Sequence, residues 1–330
     1  MKYIDLHCDT ILPLIQQGEN SSLRENKELA LDLVGLKKAE TMAQCFAIWM
    51  PVAGDLAGVE VSEELVPNGN NSDMAYIELA SKRLRKEISE NNDLITWANN
   101  GKEIEINNSK GLISAILTIE DGRAVNGKME NLKYFHDLGV KIIALTWNYE
   151  NCFGFPNSTD KNIMNKGLKD FGIEAISYMN ELGIVIDVSH LSDGGFWDIA
   201  KHSKKPFIAT HSNCRALADH PRNLTDDMIK AIGNAGGVVG LNFSPRFLKK
   251  DGNHSSIDLM VEHLNHMKNI GGLDILAIGT DFDGTWADIM DIERAENMQL
   301  LFDALEKDGW KYNEMEKFGY INALRIFNTN

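Results

Sequence analysis

Four cysteines in 330 residues, at positions 8, 45, 152 and 214, match no C-x-x-C pair and no zinc-ribbon spacing. They read as reduced thiols of a cytoplasmic protein. Positive charge is also short: 33 Lys and Arg face 48 Asp and Glu, a formal charge of -15. A nucleic-acid or anionic-membrane binder needs a basic face, so neither class is expected, whereas a cationic cofactor is compatible. No apolar run approaches the ~20 residues of a spanning helix. No charged-then-apolar leader precedes the first apolar run. Linkers rich in Pro, Gly or Ser, internal repeats and low-complexity tracts are all missing, so one domain over 1–330 is the simplest organisation.

What is present is an alternation. Eight short apolar runs occur at 2–7, 43–50, 112–120, 140–147, 183–190, 206–212, 236–243 and 274–282. Most are nearly continuous in apolar character, as parallel strands covered on both faces are. Amphipathic stretches such as 72–90, 165–183 and 256–272 lie between them. Eight strand–helix units in a chain of this length predict a (β/α)8 barrel of the TIM type, with a doubly wound sheet as the alternative. Long segments follow several strands, at 51–71, 148–164 and 283–296. In such a barrel they would surround the mouth where active sites sit.

The ends of the apolar runs carry a consistent chemistry. "YIDLHCDT" opens the chain, and residues two apart on a strand share a face, so His7 and Asp9 converge. Glu120 ends the third run and His190 the fifth, while His211 and Asp281 each stand one residue before the end of the sixth and eighth. Polar groups gathered at one barrel mouth are costly to bury unless paired or bound to metal. The set is nitrogen and oxygen only, which favours zinc, with manganese, cobalt or iron as alternatives. Three His and two carboxylates exceed the three protein ligands of a mononuclear catalytic zinc site. Two metals bridged by a carboxylate would use them all and could hold a hydroxide between them. Asp281 remains as a carboxylate able to shuttle a proton to a leaving amine.

H-x-D on the first run, "EDG" after the third, "DVSH", "THS" followed by "HPRN", and "GTDFDG" occur in that order. Together they resemble the membrane (renal) dipeptidase family of zinc metallopeptidases, from about residue 3 to the C-terminal "INALRIF". The resemblance implies an amidohydrolase-like (β/α)8 barrel with a binuclear zinc centre that hydrolyses dipeptides, often tolerating a D-residue at the C-terminal position. It implies that His7 and Asp9 bind one zinc, His190 and His211 the other, and Glu120 both. Arg222 would hold the substrate's C-terminal carboxylate, a role that suits a guanidinium fork. Asp281 would meet the free amine and move the proton, Asp283 and Gly284 would shape their loop, and the protein would be a homodimer.

One position departs from the pattern. Many relatives carry a His after the "LT" of the fourth strand, placed at the oxyanion. Here the text is "LTWN", which puts Trp147 there. An indole has one N–H donor and no basic nitrogen, so Trp147 is either a neutral stand-in or a pocket wall. Competing readings are a related metal hydrolase acting on a cyclic amide, lactone or ester, and a non-catalytic metal-binding scaffold. A neutral substrate would have no use for Arg222.

Overall fold

A computed structural model describes residues 1–51 and 72–329. Its strands are β1 (Tyr3–Asp5), β2 (Thr41–Trp49), β3 (Ile95–Trp97), β4 (Ile113–Glu120), β5 (Val140–Ala144), β6 (Val185–Asp187), β7 (Val239–Leu241) and β8 (Leu276–Ile278). All ladders are parallel, in the order β6-β5-β4-β2-β1-β8-β7. Burial on both faces explains the lack of alternation: every residue of β2 and β4 is buried.

Seven of the eight expected strands appear, most of them shortened. The run at 206–212 does not form a continuous strand. Ile208 bridges Asp187 and Ala209 bridges Val239, and these two contacts close the ring between β6 and β7. The ladder stops there because side chains take the next two amides. Thr210 N–H donates to Asp187 Oδ1 and His211 N–H to Ser189 Oγ. In its place β3 appears, which periodicity did not single out because it is three residues long. It lies beside the first half of β4, and β5 takes over that side from Leu117 onward.

The amphipathic stretches become helices at Ser72–Glu90, Asp170–Leu182 and Ile257–Gly271. The second starts later than the sequence pattern, after a separate short helix at Lys161–Met164. The segment 283–296 holds two short 3-10 turns at Ala287–Ile289 and Ala295–Asn297. The expected mouth segment 51–71 lies outside the described residues apart from Pro51.

Candidate active site

The residues singled out at strand ends come together at one end of the ring. Past β1 the chain stays extended, its backbone tied to β8 and β2, and delivers His7 and Asp9. Glu120 is the last residue of β4. His190 and Asp281 each follow a strand by three residues and sit at φ +68° and +65°. That left-handed backbone is costly for a side-chain-bearing residue, and such outliers cluster at functional sites. His211 follows the Ile208–Ala209 bridges. All six side chains are buried.

Glu120 stands at the centre. Its Oε1 lies 2.8 Å from His190 Nε2 and 3.4 Å from His211 Nε2. Its Oε2 lies 3.4 Å from His7 Nε2, which in turn lies 3.5 Å from Asp9 Oδ2. One carboxylate thus divides its oxygens between two side-chain pairs, His7–Asp9 and His190–His211. The His7 and His211 rings stack at 3.7 Å between centroids, and the two Nε2 atoms of His190 and His211 are 3.2 Å apart. Asp281 Oδ1 is 3.8 Å from His7 Nε2.

This donor set fits a metal pair. His7 Nε2 and Asp9 Oδ1 are buried and have no hydrogen-bond partners among the described residues, a costly state that a cation would relieve. Burial, reinforced by the positive charges of Arg222 and His7, pushes His190 down to about 4 and His211 well below its ordinary value. Both imidazoles are therefore held in the neutral form, the form that a metal could bind. Burial also pushes Asp9 well above the ordinary carboxylate range, with Glu120 and Asp281 adding to the effect. At His7 burial acts downward, but the Glu120 and Asp9 charges overcome it and hold the imidazole well above its usual value. A cluster that draws in a proton this way is one that a divalent cation can occupy instead.

Around this set stand the remaining candidates. Arg222 is buried; it donates to Ser212 Oγ at 3.2 Å and to His211 O at 3.0 Å, and its Nε has no hydrogen-bond partner among the described residues. No carboxylate pairs with it among the described residues. Its loop is braced by Arg215, which grips Asp193 with two bonds of 2.7 and 2.8 Å and also holds Asn223 O and Pro221 O. Trp147 is buried edge-on to Trp49, 5.1 Å between centroids, with the His190 ring at 6.3 Å. Asp283 accepts from Thr10 Oγ1 and from Ala30 N, so it ties loops together. Gly284 turns out to touch the site itself: a Cβ there would lie 2.2 Å from Asp9 Oδ2 and 2.6 Å from Asp281 Oδ1.

The strand-end reading passed over several residues. Asn242 donates to Asp281 Oδ2 at 2.9 Å, and Asn148 Oδ1 accepts from His190 Nδ1 at 3.3 Å. Asp5 and Asp187 lie beneath the ligands. A signal existed for three of the four: Asp5 and Asp187 are lone charges inside apolar runs, and Asn242 is a polar residue near a run's end. Asn148 had none.

The model of the membrane dipeptidase family, peptidase family M19, matches residues 1–330. A Klebsiella pneumoniae protein, described as an uncharacterised protein in the pqqA 5' region, is 37% identical over 225 residues, 65% of this chain and 81% of its own length. An uncharacterised dipeptidase of Schizosaccharomyces pombe is 29% identical over 84% of this chain and 62% of its own. Among solved structures, a dipeptidase of family M19 has a TM-score of 0.87 at 26% identity, over 99% of this chain and 98% of that one. A Rhodobacter sphaeroides metallopeptidase bound to a phosphinate mimic of the dipeptide L-Ala-D-Ala has a TM-score of 0.83 at 25% identity, with the same coverage. Both likenesses support the TIM-like barrel and a hydrolase. Matched from end to end by that family's model, the chain belongs to the membrane dipeptidases, peptidase family M19.

Proposed function

We propose that this chain is a zinc dipeptidase, working as one domain, that hydrolyses free dipeptides. His7 and Asp9 would hold one zinc, His190 and His211 the second, and Glu120 both. What carries the reading is one juxtaposition: a carboxylate shared between two groups of candidate ligands, beside a buried guanidinium that has no carboxylate partner among the described residues. Two zinc ions there would bring the pKa of a shared water to about 7, supplying a bridging hydroxide, and would polarise the scissile carbonyl.

The chain's own residues do the rest. Arg222 receives the substrate's C-terminal carboxylate, which orients the peptide bond over Glu120. Asp281 takes the proton that remains on the nucleophile and delivers it to the leaving nitrogen as the C–N bond breaks, so the products are a carboxylate and an amine. Asn242 holds Asp281 Oδ2, leaving Oδ1 directed toward the site. Trp147, packed on Trp49, forms a wall of the pocket. The L-Ala-D-Ala mimic bound by the Rhodobacter relative supports substrates with a D-residue at the C-terminal position. The proposal extends to a cytoplasmic homodimer, on the family resemblance and on four free cysteines.

The discriminating experiment compares a dipeptide with its C-terminal amide. Free dipeptides should be cleaved, and their amides and longer peptides only poorly. Arg222→Ala should cost about 1.5–3 kcal/mol in kcat/KM toward free dipeptides, the range of a charged hydrogen bond. Equal rates on the dipeptide and its amide would favour a hydrolase of neutral cyclic amides, lactones or esters.

A further inference from the structure

Two buried aspartates beneath the site are used in the same way. Asp5, on β1, accepts the backbone N–H of Thr280 at 3.0 Å and its hydroxyl at 2.7 Å. Asp187, on β6, accepts the backbone N–H of Thr210 at 2.9 Å and its hydroxyl as well. Each threonine immediately precedes a site residue, Asp281 or His211. Each pair crosses a thin seam of the ring, β1–β8 through Asp5↔Ile278 and β6 to Ile208 through a single bridge. The two hydroxyls differ in their further partners: Thr280 Oγ1 accepts from Phe282 N at 3.2 Å, and Thr210 Oγ1 meets Ser189 Oγ at 3.4 Å. Thr210 Oγ1 also stands 2.7 Å from His211 Nδ1.

That contact has a determinate direction. A threonine hydroxyl has one proton, and a carboxylate only accepts. With the proton committed to Asp187 Oδ2, Oγ1 meets His211 Nδ1 as an acceptor, so Nδ1 carries the hydrogen. Nε2 is then left with its lone pair, aimed at Glu120 Oε1. We infer that Asp187, acting through Thr210, is a positioning residue for the metal centre: the relay fixes His211 in the tautomer that offers Nε2 as a ligand. His190 depends instead on the exposed Asn148, so the buried relay is specific to His211. The inference rests on the metal-centre reading above and adds two residues that are not ligands: Thr210, which touches His211, and Asp187, which acts through Thr210.

The test uses three proteins: the natural chain, Thr210→Val and Thr210→Ser. Valine keeps the shape and removes the hydroxyl; serine restores it. Zinc affinity is measured by competition with a chromophoric chelator, and the His211 tautomer by nitrogen NMR of 15N-histidine-labelled, zinc-stripped protein. Thr210→Val should weaken zinc binding by about 10–100-fold, the usual effect of removing a ligand's hydrogen-bond partner, and should populate the Nε2–H tautomer. Thr210→Ser should recover most of both. Urea unfolding of the stripped proteins separates a positioning effect from loss of fold. Should Thr210→Val itself fail to fold, Asp187→Asn tests the relay on the same two readouts, with the same expected direction. A variant that folds, lacks the hydroxyl or the carboxylate and binds zinc as tightly as the natural chain would overturn the inference alone. A natural chain that binds no zinc would overturn the metal-centre reading as well.

Discussion

Gly284 is a residue whose lack of a side chain the site requires. A Cβ built on it would collide with both Asp9 Oδ2 and Asp281 Oδ1, so a side chain there must displace these carboxylates. Gly284→Ala should cut kcat/KM by about 100-fold, the scale of a 1 Å misplacement at a reacting centre, with the unfolding midpoint nearly unchanged. Steady-state kinetics beside a urea titration checks this, and full activity in a folded Ala variant would refute the contact. Asp281 is expected to behave differently. Asp281→Asn preserves shape and the Asn242 contact while removing the proton carrier. Zinc content should stay the same and kcat should fall by roughly 100-fold or more. Loss of metal from that variant would mean that Asp281 is a ligand instead.

Elements around the mouth are held by buried polar links as much as by ladders. His263, on the helix Ile257–Gly271, is fully buried; its Nδ1 accepts from Cys214 N at 3.1 Å and its Nε2–H donates to Leu248 O at 2.8 Å. One imidazole thus joins three segments, and it can do so only when neutral. Burial pushes its pKa down to about 4. The unfolded chain, with an ordinary value near 6.5, then binds one more proton than the folded chain between about pH 6.5 and 4. Stability from this residue is complete above about pH 6.5 and is lost as pH falls through that window, by up to about 3 kcal/mol. Urea midpoints at pH 7 and pH 5 should therefore differ less in His263→Gln than in the natural protein. Parallel slopes in the two proteins would show that His263 does not set the dependence. His220, also pushed down to about 4 by burial, would account for part of any slope that remains.

Across the whole molecule, the candidate ligands come from β1, β4, the turn after β6 and the Ile208–Ala209 seam. A metal pair would therefore cross-link strands from opposite parts of the ring. Binding to the folded state alone stabilises it by about 4 kcal/mol when free zinc is 1,000 times its Kd. Chelation should lower Tm and abolish activity, and added zinc should restore both, with two ions per chain by metal analysis. A Tm indifferent to chelation, or one ion at saturation, would contradict the shared role of Glu120.

How much of this was legible in the sequence follows from which interactions are local. Continuous apolar runs mark strands covered on both faces, so seven strands and the helices between them could be located from burial pattern alone. The polar residues that end those runs were visible for the same reason, because a charge at the edge of an apolar run must find a partner. What the linear order could not disclose was how the partners meet. The loss of a continuous strand at 206–212, the division of Glu120 between two groups and the Thr210 relay depend on contacts across the ring, those of Glu120 with His7, His190 and His211 and those of Asp187 with Thr210. Gly284 shows the same limit. Its neighbours in sequence explain a turn, whereas Asp9, at the other end of the chain, explains why nothing larger fits. Burial is encoded residue by residue, and the sequence determines it; directional bonds need two partners in place, and only the tertiary structure brings them there.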